Sequence, residues 1–222
     1  PPPRASLQEG RRQLIELGAL TPEGRPTDTG QKLARFGAHP RLGLLLLKAR
    51  AMGRPQLGAD LSSILNERDL LSHNNHGSDL WSRMLLLRDH RSSTRISGDR
   101  AAADRLRTVL DQSRRWVQQL GQFEQEQAPK TIEATDEQLA AQLIATAFPE
   151  WIAVARPGQR GQFLLRQGRG AALQVSDPLD GAEALAIAQL DLGDTRAKIR
   201  LALPLTHQWV RELADQNGHW QE

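Results

Sequence analysis

The hydrophobic period changes once along this chain, and that change limits the fold more than any other feature. Up to about residue 120, apolar side chains recur at helical spacing. From Trp151 onward they fall in short runs: Trp151–Ala155, Gln162–Arg166, Ala171–Val175, Ala184–Leu190 and Ala197–Leu203. Pro157-Gly158, Gly168-Arg169-Gly170, Pro178-Leu179-Asp180-Gly181 and Gly193-Asp194 separate them, as turns separate strands. A helical part followed by five short strands predicts an α+β chain ending in a small barrel or sandwich.

Within the helical part, Leu7, Leu14, Ile15 and Leu17 mark a first helix, and Gly18 stands where a C′ glycine would end it. Pro22-Glu23-Gly24 is a turn, and Thr27 or Asp28 can cap a short helix carrying Leu33 and Phe36. Helix, small hairpin and helix together resemble the back half of a winged-helix module. Pro40 suits the first turn of a helix reaching Met52. With Leu42, Leu44, Leu45, Leu46 and Leu47 apolar nearly all round, that helix should be buried. Leu57, Leu61, Ile64 and Leu65 mark the next, and Ser72–Gly77 reads as a loop. Ser78 is placed to cap a helix with Leu80, Trp81, Met84, Leu85 and Leu87, and Asp99 to start a longer one through Leu120. Gln122–Lys130 is polar and reads as a linker. Thr135-Asp136-Glu137-Gln138 has capping-box spacing for a helix to Ala147, and a last helix carries Trp209, Val210 and Leu213. The expected division is a partial winged helix at 1–39, a helical bundle at 40–121, a linker at 122–134, and a helix, barrel and terminal helix at 135–222.

The chain of 222 residues has no cysteine, which excludes a disulfide framework, a thiolate metal site and a cysteine nucleophile and fits a cytoplasmic setting. No charged n-region with an apolar h-region opens the given sequence and no apolar run reaches about 20 residues, so no membrane partner is expected. It opens on Pro1-Pro2-Pro3 rather than Met, which reads as a piece of a longer protein. Of the 29 basic residues only Lys32, Lys48, Lys130 and Lys198 are lysines. Residues 1–130 carry 21 basic against 14 acidic side chains, and residues 131–222 carry 8 against 12. The arginine-rich first part is what a phosphate-binding surface would show, although a coding bias explains the Arg/Lys ratio equally well.

No G-x-x-x-x-G-K-[ST], G-x-S-x-G or H-E-x-x-H occurs, so no catalytic residue, cofactor site or metal site is expected. His73, His76 and Asp79 supply too few ligands for zinc and read as a solvated loop. Glu67 and Asp69 stand among arginines and read as surface ion-pair partners. Trp81 and Trp116 occupy apolar helical positions and read as core. Phe163 could face the core or a stacked base. The strongest candidate site is basic. Arg91, Arg95, Arg166 and Arg169 fall at element ends or loops, where guanidinium groups can reach phosphate. The competing reading of each is a solvated face with local ion pairs.

Leu17-Gly18-Ala19-Leu20, Thr29-Gly30 and His39-Pro40-Arg41-Leu42 resemble the pattern that follows the motor of DEAH-box helicases. Ala59–Leu65 with Glu67-Arg68-Asp69, Ala147–Glu150, Gly168–Ala171, Leu190-Asp191 and Ile199–Ala202 are similar to the bacterial HrpB branch. The resemblance implies a winged-helix end, a helical ratchet and an OB-fold that together complete a single-strand channel. It implies single-stranded RNA, or DNA, and the upstream motor domains as partners. ATP and Mg²⁺ would bind in that motor. The alternatives are a protein-docking module for a ribosomal or regulatory partner and, on weaker grounds, a free winged-helix regulator.

Overall fold

The computed structural model describes residues 3–71, 77–92, 100–123, 133–193 and 196–217. Its elements are α1 (Arg4–Glu16), α2 (Asp28–Ala34), α3 (Pro40–Ala51), α4 (Pro55–Asn66), α5 (Leu80–Ser92), α6 (Arg100–Leu120) and α7 (Asp136–Ala147). A 3-10 turn (Pro149–Trp151) leads into β1 (Ile152–Ala155), β2 (Gln162–Leu165), β3 (Gly170–Ala172), β4 (Ala184–Leu192) and β5 (Ala197–Leu205), and α8 (His207–Asn217) follows.

Local chemistry sets most element ends. Gly18 takes φ 68° after α1, the left-handed turn expected of a C′ glycine. Thr27 caps α2 by accepting from the Gly30 N–H at 3.0 Å. His39 caps α3 through Nδ1, with Pro40 in the first turn. The Thr135 and Gln138 capping box closes in both directions, at 3.2 and 2.9 Å. Ser78 is a correction. Asp79 caps α5, accepting from Trp81 N–H at 2.9 Å and Ser82 N–H at 3.2 Å. Ser78 cannot cap because it is buried against the barrel. Its hydroxyl donates to Ile199 O at 3.1 Å, its N–H donates to Asp177 Oδ2 at 2.9 Å, and its carbonyl accepts from Ala202 N–H at 2.9 Å. Gly77 makes this approach possible: its φ is 60°, and a Cβ there would meet the Pro178 ring.

The five strands close in the order β1-β2-β3-β5-β4, with β3 and β5 parallel and the other pairs antiparallel. A small closed five-stranded barrel in this order is OB-like. Ala153, Phe163, Leu165, Ala171, Leu185, Ile187, Ala197 and Ile199 fill its interior. Alternate residues of β1, β4 and β5, among them Ile152, Ala186, Leu201 and Leu203, point the other way into a second core shared with the helices. Helix α7 is the bridge, packed on α3 and α4 on one side and β4 and β5 on the other. Leu139, Leu143 and Ile144 are fully buried in it, and Ala140, Ala141, Ala145 and Ala147 allow close approach. Residues 40–121 and 135–222 therefore share one continuous core, while the expected linker falls mostly outside the described residues. Helix α1 contributes no buried residue, and Leu7 is 58% exposed. No helix among the described residues is long and apolar enough to cross a membrane.

Candidate nucleic-acid interface

A concavity of about 1240 Å³ lies between α1, the start of α3, the 3-10 turn and the outer edge of β4 and β5. Phe148 and Trp151 stack along its side, with ring centres 5.2 Å apart, and Arg166 and Gln167 enter it from the β2–β3 turn. Arg12, Arg41 and Arg200, which also line it, are matched by carboxylates. Arg12 pairs with Glu9 at 2.6 Å and Glu16 at 2.5 Å, Arg41 with Glu150 at 2.8 Å, and Arg200 with Asp191 at 2.6 Å. Hydrogen bonds from Arg12 and Gln13 lower Glu9 to about 2, so its carboxylate is ionised at any working pH. A cleft with such matching exerts little net field on a polyanion.

Of the expected site residues, Arg91 lies on the bundle and Arg166 and Arg169 on the barrel. Arg91, expected to be uncommitted at the end of α5, is paired. It donates to both oxygens of Asp60, at 2.9 and 2.5 Å. Asp60 is 1% exposed, and Ser113 Oγ at 2.6 Å and Gln56 Nε2 at 2.9 Å also donate to it. The hydrogen bond to Asp60 raises the Arg91 pKa above its already high value. A buried carboxylate needs that cation, which is why an arginine at a helix end is drawn inward. Arg95 lies outside the described residues, as do His73 and His76. Arg166 lines the cleft, and Arg169 reaches across to the Gly193 carbonyl.

Other bundle arginines are committed too. Arg83 is fully buried, gripping Asp69 at 2.9 and 2.7 Å and the Asp79 carbonyl at 2.9 Å. Arg88 pairs with Asp136 at 2.8 Å and lies 5.0 Å from the Trp81 ring centre. Phe163, 1% exposed inside the barrel, presents no ring to a ligand, and Trp116 is core.

A different set of cations faces solvent on the barrel. Lys198 lies in register with Ala172 of β3, which lies opposite Gln162 of β2. Arg196 Nη1 donates to Gln162 Oε1 at 3.3 Å. The Arg156 guanidinium lies over Gly170, 3.5 Å from where a Cβ would stand. None of Arg156, Arg169, Arg196 and Lys198 forms an ion pair among the described residues. Arg160, beside them, pairs with Asp180 at 3.0 Å. Sequence reasoning missed Arg196 and Lys198. The signal was the alternation Ala197-Lys198-Ile199-Arg200-Leu201, which puts Lys198 outside the barrel. Among the described residues, no group of three or more metal-ligating side chains comes together.

No family model matches the chain. It is 29% identical over 204 residues to the ATP-dependent RNA helicase HrpB of Escherichia coli (strain K12), a span that covers 92% of this chain and 21% of that protein. The chain is homologous to part of HrpB. A crystal structure of the E. coli DExH-box NTPase HrpB matches it with TM-score 0.68 and 30% identity over 97% of this chain and 22% of that one. A crystal structure of the E. coli DEAH/RHA helicase HrpB gives 0.69 and 27% over 93% of this chain and 22% of that one. The likeness includes both the helical bundle and the barrel, which correspond to the C-terminal region of HrpB. The chain spans about a fifth of the length of these relatives.

Proposed function

We propose that this chain is an accessory part of an ATP-dependent RNA helicase that holds single-stranded nucleic acid through its backbone beside an upstream motor. The observation that carries this reading is the OB-like barrel locked to a helical bundle, in a chain homologous to HrpB over nearly its whole length. Barrels of this kind bind oligonucleotides on an open strand face and adjoining loops. A translocating helicase needs a sequence-tolerant grip, and cation–phosphate contacts supply one. ATP and Mg²⁺ act in the motor domains in this reading, because the chain has no phosphate-cradling loop of its own. Arg166 and Arg169, at the β2–β3 turn, remain nucleic-acid contacts in this proposal. Arg95 stays a candidate from sequence, and Arg91 becomes a structural residue. The setting is cytoplasmic.

The test is fluorescence anisotropy of the purified chain with an unstructured oligo(U) at several salt concentrations. Binding that weakens with salt by about 0.7 log units per tenfold increase for each phosphate contacted is expected. No RNA affinity, together with saturable capture of a defined protein partner, would favour the docking alternative and overturn this reading. The same preparation is expected to hydrolyse no ATP with or without RNA. RNA-stimulated turnover that co-purifies with the chain would contradict that.

A further inference from the structure

A groove of about 680 Å³ lies on the helical bundle and shares no lining residue with the cleft beside the barrel. Two helical stripes form it. On α3, Leu44, Leu47, Lys48 and Ala51 stand at i, i+3, i+4 and i+7, which puts them on one face. At the end of α6, Val117 and Leu120, with Gly121 after them, repeat the same spacing. Leu47 and Val117 pack against the core beneath but are only half-buried. Every charged side chain among the described residues that line the groove is a cation: Lys32, Lys48 and Arg50. The cleft differs, because Glu9, Glu16, Glu150 and Asp191 stand among its arginines. Lys48 is exposed and forms no ion pair among the described residues.

We infer that this groove docks an acidic amphipathic peptide segment of a protein partner, its apolar side chains laid between α3 and α6 and its carboxylates on Lys48 and Lys32. The inference is independent of the nucleic-acid reading above. Lys48 stands within the apolar stripe of α3, between Leu44 and Ala51. A carboxylate that meets it must therefore come from a chain whose apolar side chains fill the neighbouring positions, as an amphipathic helix in a groove does. The volume falls within the about 300–1,000 Å³ of ordinary ligand pockets. Lysine suits the task, since a compact charge on a flexible stem follows a carboxylate without demanding one geometry. A polynucleotide fits poorly. The floor is mostly aliphatic, and the one ring that lines it, Phe123, is 8% exposed. Phe36 packs on that ring at 5.5 Å, and the Arg35 and Arg50 guanidinium groups lie 4.5 and 5.9 Å from its centre. No ring face is left for a base to stack on.

The test selects binders to the immobilised 222-residue chain from a phage-displayed library of random dodecapeptides, and the most enriched sequence is then made as a fluorescent peptide. The selected sequences should share large apolar side chains at helical spacing, flanked by Asp and Glu. Lys48→Glu should weaken binding about tenfold, because it turns an attraction into a repulsion. Lys48→Gln should weaken it about threefold, and Lys48→Arg should keep wild-type affinity. Lys48 is exposed, so these variants leave the fold unchanged. Val117→Asp should abolish binding by placing a carboxylate on the apolar floor. A peptide with one Glu replaced by Lys should regain affinity for the Lys48→Glu variant. Oligo(U) should bind that variant as it binds the wild type. No enriched sequence, enriched sequences without acidic residues, or an acidic peptide indifferent to both Lys48→Glu and Val117→Asp would overturn the inference. Displacement of the peptide by oligo(U), with oligo(U) binding itself lost in Lys48→Glu, would assign the groove to nucleic acid and overturn it as well.

Discussion

Arg83 in α5 and Arg156 after β1 are the same residue type with opposite surroundings. Arg83 has no exposed surface and is held by Asp69 and a backbone carbonyl, whereas Arg156 is exposed and lies over a glycine. The contrast extends to neighbours. In the bundle, Arg41, Arg83, Arg88 and Arg91 all meet carboxylates contributed by other elements. On the open face of the barrel, Arg156, Arg196 and Lys198 meet none among the described residues. The bundle half of the sequence has the larger positive balance, yet the barrel half, net acidic, carries Arg156, Arg196 and Lys198 without a carboxylate partner among the described residues. Net charge counts residues, and a binding field depends on which of them are already neutralised.

This contrast can be broken at several points. The largest effect is expected from Arg83→Ala, which strands Asp69 and empties a filled site. A loss of about 3–5 kcal/mol in urea unfolding is expected, as for other broken buried pairs. A loss below about 1 kcal/mol would mean the pair is not structural. Arg91→Ala should cost less, about 2 kcal/mol, because its side chain is 34% exposed and Ser113 and Gln56 still donate to Asp60. Its salt slope for RNA should match wild type; a flatter slope would return Arg91 to the ligand side of the comparison. Asp177→Ala leaves the buried Ser78 N–H without its acceptor and should cost about 1–2 kcal/mol. Hydrogen exchange should then rise first around residues 77–80, where the bundle is tied to β5. Uniform exchange across the chain would deny that this link is local.

Smaller effects involve the helix cap and the exposed pairs. Burial and the Arg41 charge lower the His39 pKa below its ordinary 6.5. Its Nδ1 must be unprotonated to accept from the Arg41 N–H. A depressed folded-state value means the neutral cap stabilises above pH 6.5 and that this contribution is lost as pH falls through the lower folded value. His39→Asn, a cap that does not titrate, should flatten stability over that acid window; an unchanged pH profile would refute the assignment. Arg107→Ala removes an exposed pair with Asp104 and should shift stability by no more than about 0.5 kcal/mol.

The elements were legible in the sequence where their causes are local. The strand runs, the Thr135 box, Gly18 and Pro40 each act through neighbours within a few residues, and the structure places them accordingly, except that the run expected over Ala171–Val175 pairs only as Gly170–Ala172 and leaves Val175 exposed. The resemblance of His39-Pro40-Arg41-Leu42 and the later motifs to HrpB agrees with the homology found over most of the chain. What local chemistry does not show depends on distant partners. Ser78 reads as a cap until a barrel residue, Asp177, takes its N–H from 99 positions away. Arg91 reads as free until Asp60 is placed beside it by the packing of α4 against α5. Of the proposed contacts, Arg166 and Arg169 stand out in sequence by their place at a turn, but Lys198 becomes informative only once β5 is paired beside β3.

In the proposed function, the position of positive charge rather than its amount sets nucleic-acid affinity. The most direct measurement compares two variants with the same change in net charge. One carries Arg156→Gln, Arg196→Gln and Lys198→Gln on the barrel face. The other carries Arg107→Gln, Arg114→Gln and Arg115→Gln on the exposed side of α6, where two of the three pair locally with Asp104 and Asp111. Oligo(U) binding is followed from low to moderate salt after both variants are shown to unfold at wild-type urea concentrations. The barrel variant is expected to lose about two units of salt slope and the α6 variant to keep the wild-type slope. Equal losses in the two variants, or a larger loss from α6, would contradict it.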